Sequence, residues 1–211
     1  MENDTPNKIK ISKEIIATLP IETFPGKIVV IDNERDADNV VLQLNNERII
    51  GFDTETRPTF KKGKSNHVAL IQLSTHDTCY LFRINRIGFT PAIKNLLENE
   101  SLLKVGISLK DDFCMLSRLN GGQFIPRNFI ELQKFVKKYN IEDQSLQKIY
   151  GIVIGKKISK GQRLSNWEAD HLTENQQLYA ATDAWSCIKI YEVLKSGKFK
   201  SPIYKIQPSS L

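Results

Sequence analysis

Short apolar segments rich in β-branched residues recur through the first half of the chain, each with the length of a strand. They predict strands at residues 27–31, 48–55, 68–75 and 78–84. A two-residue connection separates the last two, which is typical of a tight hairpin. Between the first two, the spacing of Val40, Val41 and Leu44 predicts a helix over residues 36–46.

Helical patterns dominate the second half of the chain. The predicted helices begin at Thr90, Asp111 and Thr173, with shorter helical pieces at residues 130–139 and 145–150. Pro91 suits a first helical turn, and the two glycines at 121–122 suit a helix end. Thr173 and Gln176 have the spacing of a capping box. One further short strand, residues 102–107, stands between helices.

Strands that come first, with helices interleaved or following, indicate an α/β or α+β domain with a mixed sheet. The hairpin predicts an antiparallel part, and the strand at 102–107 predicts a parallel addition. A chain of 211 residues fits one domain. We expect an N-terminal extension over 1–20, in which Ser12 caps a short helix, a main domain over 21–200 and a tail over 201–211.

Composition narrows the class of protein. No segment resembles a signal peptide or a membrane span, so we expect a cytoplasmic protein without a membrane partner. The three cysteines, Cys79, Cys114 and Cys187, are odd in number and widely spaced, which predicts reduced thiols and no disulfide framework. A net charge of +6 weakly favours a polyanionic partner. Its basic clusters, residues 57–64 and 155–163, fit phosphate-binding loops and a solvated surface equally well.

Two Asp-x-Glu pairs follow predicted strands, and such a pair arises by chance about once in a chain of this length. Asp53 and Glu55 flank Thr54, which favours an extended backbone, so both carboxylates should face the same side of a strand. Asp32 and Glu34 precede helix-like sequence, and we interpret them as a helix start with a capping aspartate.

Carboxylates on one face of a buried strand end need a positive partner, and hard oxygen ligands suit Mg²⁺ or Mn²⁺. Asp183 lies within an apolar helical stretch, where an uncompensated carboxylate is unfavourable. Tyr179 precedes it by one turn and shares its helix face. Asp111 and Asp112 follow the strand at 102–107, where helix capping is the alternative interpretation.

Taken together, three stretches resemble the motifs of the DEDDy branch of the DEDD superfamily of 3′–5′ exonucleases. They are FDTET (52–56), VGISLKDD (105–112) and LYAATDA (178–184). The resemblance spans residues 27–195, and SNW at 165–167 is similar to the Werner-type group of that branch. Ribonuclease D and the proofreading domain of DNA polymerase I are more distant relatives. The implied fold is ribonuclease H-like, a five-stranded mixed sheet flanked by helices.

The resemblance implies hydrolysis of nucleic acid from a free 3′ end, to nucleoside 5′-monophosphates, with two divalent metal ions, Mg²⁺ or Mn²⁺. The implied ligands are Asp53, Glu55, Asp112 and Asp183. Asp53 would bridge both ions and Asp112, not Asp111, would be the acid of the second motif. Tyr179 would orient the attacking water, since a phenol with a pKa near 10 is a poor base.

Further residues are candidates for contacts with the nucleic acid. They are Thr54, Arg57, Lys61, Lys62, Lys160, Arg163, Asn166 and Trp167. Trp167 fits core packing equally well. The chain has no room for the additional helical domains of ribonuclease D, so we expect DNA rather than RNA. The alternatives are a ribonuclease D-like RNA-trimming enzyme, a catalytically inactive nucleic-acid-binding module and a metal-dependent phosphatase.

Overall fold

A six-stranded mixed sheet forms the centre of the computed structural model, which describes residues 8–57, 67–197 and 199–200. The strands are β1 (Lys27–Ile31), β2 (Ile49–Thr56), β3 (Val68–Ser74), β4 (Thr78–Phe82), β5 (Leu103–Gly106) and β6 (Phe129–Glu131), in the spatial order β1-β4-β3-β2-β5-β6. Strands β2, β3 and β4 are antiparallel neighbours, and β1, β5 and β6 add in parallel. The predicted mixed α/β sheet with a hairpin is confirmed.

The sheet has one strand more than the five that we expected. The additional strand, β6, overlaps the start of the stretch 130–139, whose spacing predicted only helix. A three-residue strand is too short to show an alternating pattern, and its pairing with β5 becomes visible only in three dimensions.

Eight α-helices surround the sheet in the described ranges. They are α1 (Lys13–Thr18), α2 (Glu34–Leu44), α3 (Ile84–Ile87), α4 (Pro91–Glu98), α5 (Leu109–Leu119), α6 (Leu132–Phe135), α7 (Leu146–Ile154) and α8 (Glu174–Lys195). The predicted cap at Ser12 is present, as is the capping box of Thr173 and Gln176, and Thr90 caps α4. The capping aspartate that we expected at Asp32 is wrong: Asn33 caps α2, and Asp32 lies 3.5 Å from Arg86.

Successive side chains of β2 point to opposite faces of the sheet, where two separate hydrophobic clusters lie. Ile50 and Phe52 are buried in one hydrophobic cluster with α2, α4 and α5, whereas α7 and α8 belong to a second cluster on the other face. The expected N-terminal extension contributes to this second cluster, because Ile11 and Leu19 pack where Gly151 of α7 leaves room. The domain boundary at residue 20 stays a prediction.

The three cysteines are free, and no described helix is long and apolar enough to cross a membrane.

Lys104 is a fully buried cation in β5, and it makes stability depend on pH. Its ammonium group donates to the Asn99 carbonyl at 2.5 Å and lies 5.1 Å from the centre of the Phe129 ring. Burial lowers its pKa from 10.5 to about 8. Between these values the unfolded chain binds more protons, so the folded protein gains stability as pH rises from 8 to 10.5.

We expect Lys104→Met to abolish this gain, which amounts at full extent to about 3 kcal/mol. The variant should be more stable than the wild type at pH 7, and the difference in unfolding free energy should shrink toward pH 10.5. Urea unfolding across this pH range measures the difference. A difference that does not change with pH would contradict the prediction.

Candidate metal centre

Three carboxylates meet where the end of β2 faces α8. Asp53, Glu55 and Asp183 each offer one oxygen atom, and these atoms lie within 4.8 Å of one another. The spacing of two residues puts Asp53 and Glu55 on the same side of β2, as the sequence predicted. Clustered carboxylates of this kind are suitable ligands for hard divalent cations such as Mg²⁺ or Mn²⁺.

Gly51 allows α8 to approach β2 closely enough for these carboxylates to meet. It lies two residues before Asp53, and Ala184 follows Asp183. A Cβ atom at Gly51 would lie 1.9 Å from the Ala184 carbonyl oxygen, a distance no side chain can adopt. The backbones of helix and strand therefore touch directly at this position, next to two of the three acids.

Asp112 approaches the same cleft from α5, on the other side of β2. The Thr54 hydroxyl donates to its Oδ1 at 2.6 Å. Asp112 is half-buried and its neighbour Asp111 is exposed, so the geometry favours Asp112 as the fourth carboxylate. The Thr54 hydroxyl is engaged with this carboxylate, a role that sequence reasoning did not assign.

Glu131, at the end of β6, fixes the start of the helix that carries Asp112. Its carboxylate accepts hydrogen bonds from the backbone N–H groups of Ser108 at 3.1 Å, Leu109 at 2.8 Å and Gln133 at 3.0 Å. Ser108 has left-handed backbone angles and does not cap α5 with its own side chain. Glu131 thus takes the place of a local cap for α5. Because it lies more than twenty residues further along the chain, the sequence around the helix start did not indicate it.

Burial raises the pKa of every carboxyl group in the cluster, and neighbouring acids add to the effect for three of them. The pKa of Asp53 is raised well above its ordinary value, with Asp183 and Glu55 contributing after burial. The pKa of Glu55 rises to about 9 and that of Asp183 to about 7. Asp112 has its pKa raised to about 6, against the lowering effect of Thr54. Such a group of buried acids requires neutralisation by protons or by cations.

Tyr179 lies one turn before Asp183 and is buried in the same cleft. Burial and the nearby charges of Asp183 and Glu55 raise its pKa above the ordinary value, so its hydroxyl stays protonated. A hydrogen bond from Tyr179 in turn lowers the pKa of Asp183. The ring of Tyr179 packs 6.1 Å from that of Trp167, centre to centre.

Of the candidates for nucleic-acid contacts, Lys160 and Arg163 line the cleft of about 370 Å³ that contains the acids. Asn166 is exposed, and its side chain accepts from the Glu168 backbone N–H at 3.2 Å. Arg57 is exposed and pairs with Glu168 at 3.1 Å. Lys61 and Lys62 lie outside the described residues.

Trp167 is fully buried in the core, so the nucleic-acid contact that we predicted for it is wrong. The segment before α8 turns the indole inward, against Tyr179, where no surface is left for a substrate. Its core packing was the alternative interpretation of the sequence.

We expect Thr54→Val to lower the hydrolytic activity that the motifs predict by about 10- to 100-fold, because Asp112 is a predicted ligand and partners that orient ligating carboxylates have effects of this size. Valine keeps the shape and the strand preference of threonine but cannot donate to Asp112. Initial rates at saturating Mn²⁺, measured beside Thr56→Val, test this. Thr56 is a half-buried threonine of the same strand. Equal losses in both variants would show that strand packing, not the hydrogen bond, matters.

The sheet and its acidic cleft place the chain in the ribonuclease H-like class of α/β domains. The family described as 3′–5′ exonuclease matches residues 28–197, and the chain belongs to this family. The resemblance drawn from the three sequence motifs is thereby confirmed, and the protein is an enzyme of the exonuclease type.

Individual relatives agree with this assignment. The mouse bifunctional 3′–5′ exonuclease/ATP-dependent helicase WRN is 34% identical over 208 residues, which cover 90% of this chain and 14% of that protein. A 3′–5′ exonuclease of Arabidopsis thaliana is 29% identical over 174 residues, or 80% of this chain and 57% of that protein. The chain thus spans only part of these relatives.

Solved structures show the same fold. The EXO domain of Aedes aegypti Nibbler superposes with a TM-score of 0.75 at 23% identity, covering 88% of this chain and 94% of that one. Escherichia coli RNase D superposes with a TM-score of 0.71 at 21% identity, covering 81% of this chain and 46% of that one.

Proposed function

We propose that this enzyme hydrolyses a nucleic-acid strand from its 3′ end to nucleoside 5′-monophosphates, using two divalent cations, Mg²⁺ or Mn²⁺. The proposed ligands are Asp53, Glu55, Asp112 and Asp183. The observation that carries the proposal is the meeting of three carboxylates within 4.8 Å, with a fourth held beside them by Thr54. The family supports the polarity of hydrolysis, from 3′ to 5′.

Bound cations would supply positive charge for the attacking and leaving oxygens of the phosphodiester. The residues of the chain provide the remaining requirements of the reaction. Tyr179 keeps its proton and can orient a water molecule by hydrogen bonding beside Asp183. Lys160 and Arg163 place positive charge in the same cleft, where it can hold backbone phosphates without reading sequence.

DNA remains the expected substrate and RNA the alternative. The fold is shared with ribonuclease D of Trypanosoma brucei, whose structure was solved in complex with RNA, at a TM-score of 0.70 and 19% identity. This similarity concerns the fold alone, and it makes RNA a substrate class worth testing.

A time course on matched DNA and RNA oligonucleotides, labelled at either end, tests the proposal. We expect mononucleotides to appear at once from 3′-labelled strands and a ladder from 5′-labelled strands, only when Mg²⁺ or Mn²⁺ is present. EDTA should stop the reaction. Binding without cleavage would favour the inactive module, and release of phosphate from a small phosphomonoester alone would favour a phosphatase.

A further inference from the structure

We propose that a second groove, beside the carboxylate cleft, holds the single-stranded part of the substrate that runs away from the 3′ end. This lysine groove is defined by Lys110, Phe113, Phe129, Lys134 and Lys137. The proposal rests on the proposed function and adds to it a preference for unpaired strands. None of its lysines belongs to the basic clusters that the sequence drew attention to.

The lysine groove adjoins the cleft that contains the acids. Ser108, Asp111 and Gln144 line both, so a strand that leaves the cleft at these residues enters the groove. The groove has a volume of about 1040 Å³, against about 370 Å³ for the cleft. The cleft suits the reacting end of a strand, and the groove gives room for what precedes it.

The lysines of this groove are exposed, and within the described ranges none has a carboxylate within 4.0 Å. Some lysines elsewhere in the chain are paired, for example Lys94 with Glu98 and Lys148 with Asp143, each at 2.7 Å. Unpaired lysines that line one groove are suited to the phosphates of a polynucleotide, which they bind by releasing counterions.

Two acidic residues in the groove wall, Glu131 and Asp111, reduce its positive charge without cancelling it. The Glu131 carboxylate is held at the wall by three backbone N–H groups, and Asp111 lies at the junction with the cleft. Three lysines against these two carboxylates leave the wall with a net positive charge.

Aromatic rings in the groove favour a single strand over a duplex or an acidic peptide. Phe113 and Phe129 are half-buried, with ring centres 4.8 Å apart in an edge-to-face arrangement. Positive grooves with aromatic side chains are the common means of binding unpaired nucleotides without sequence preference, because every base offers a flat face. A duplex hides these faces, and a peptide of aspartate and glutamate has none of them.

The test measures binding, in EDTA, of oligo(dT) and oligo(U) of roughly 20 nucleotides by fluorescence anisotropy. One protein carries Lys110→Gln, Lys134→Gln and Lys137→Gln. Its matched control carries Lys13→Gln, Lys27→Gln and Lys195→Gln, exposed lysines that line neither groove nor cleft. Both triple variants change the net charge from +6 to +3, so a general charge effect appears equally in both.

We expect the groove variant to bind about 100-fold more weakly at 0.1 M salt, and its salt slope to be smaller by about 2, at about 0.7 per phosphate contact. The control should stay close to the wild type. An unchanged salt slope in the groove variant would overturn the proposal, as would equally tight binding of a blunt hairpin duplex or full competition by poly-glutamate.

The proposed function has a separate readout. Wild-type protein that binds the oligonucleotide through the groove, yet never releases mononucleotides with Mg²⁺ or Mn²⁺, would refute the function and leave the groove supported. If the wild type cleaves the oligonucleotide normally but the groove variant binds it as tightly as the wild type does, the function would be supported and the groove refuted.

Discussion

Asp53→Asn should lower exonuclease activity by about 10³-fold or more, because it removes the ligand that we propose to be shared by both cations, and with it several kcal/mol of transition-state stabilisation. The same change should raise the melting temperature in EDTA. An Asp53 oxygen lies within 4.8 Å of oxygens of two other carboxyl groups, and burial raises its pKa, so asparagine removes the cost of neutralising this acid while keeping its shape. Stabilisation of the wild type by Mn²⁺ should disappear in the variant.

Activity and melting temperature thus change in opposite directions, which a merely damaged fold cannot produce. Thermal unfolding with EDTA and with Mn²⁺ and initial rates on a labelled oligonucleotide provide the measurements. Asp32→Asn and Glu34→Ala are the matched controls, since they belong to the other Asp-x-Glu pair, at the start of α2. Large catalytic losses in the controls would mean that the wrong pair has been assigned.

Tyr179→Phe should lower the turnover rate by about 10²-fold and leave the stabilisation by Mn²⁺ unchanged. Phenylalanine keeps the ring that packs against Trp167, so the core is preserved. Only the hydroxyl that hydrogen-bonds Asp183 is lost, and with it the group that orients water in the proposed reaction. The separation of turnover from cation binding distinguishes this role from that of a ligand.

Tyr191→Phe is the control for this change, because Tyr191 lies on the same helix and packs with Phe135 away from the cleft. Single-turnover rates at saturating Mn²⁺ and the shift in melting temperature caused by Mn²⁺ form the pair of measurements. A variant that turns over normally would remove Tyr179 from the mechanism. One that no longer responds to Mn²⁺ would make it part of the cation site.

Local patterns allowed much of this fold to be predicted from sequence. The period of two along β2 put Asp53 and Glu55 on one side, and the capping box placed the start of α8. The grouping of distant acids required the family motifs, since spacing alone cannot bring Asp183 to the end of β2. The motifs named Asp53, Glu55 and Asp183, and the structure brings these three carboxylates together.

The features that sequence reasoning missed depend on long-range contacts. Thr54 and Asp112 are 58 positions apart, so nothing local indicates their hydrogen bond. Trp167 was ambiguous because its neighbours are polar although its ring is buried. Asn33 rather than Asp32 is the cap because α2 begins at Glu34, so the position directly before the helix falls on Asn33, and both types of residue suit that position.

The contact of Gly51 with the Ala184 carbonyl makes the chemistry of the cleft depend on an absent side chain. A methyl group there would act as a wedge between strand and helix, and the acids on either side would move apart together. Random mutagenesis for lost activity should therefore select a position with no functional group at all. Gly51 thus sets the distance between the proposed ligands, and through it the affinity for cations, although Gly51 itself binds no cation.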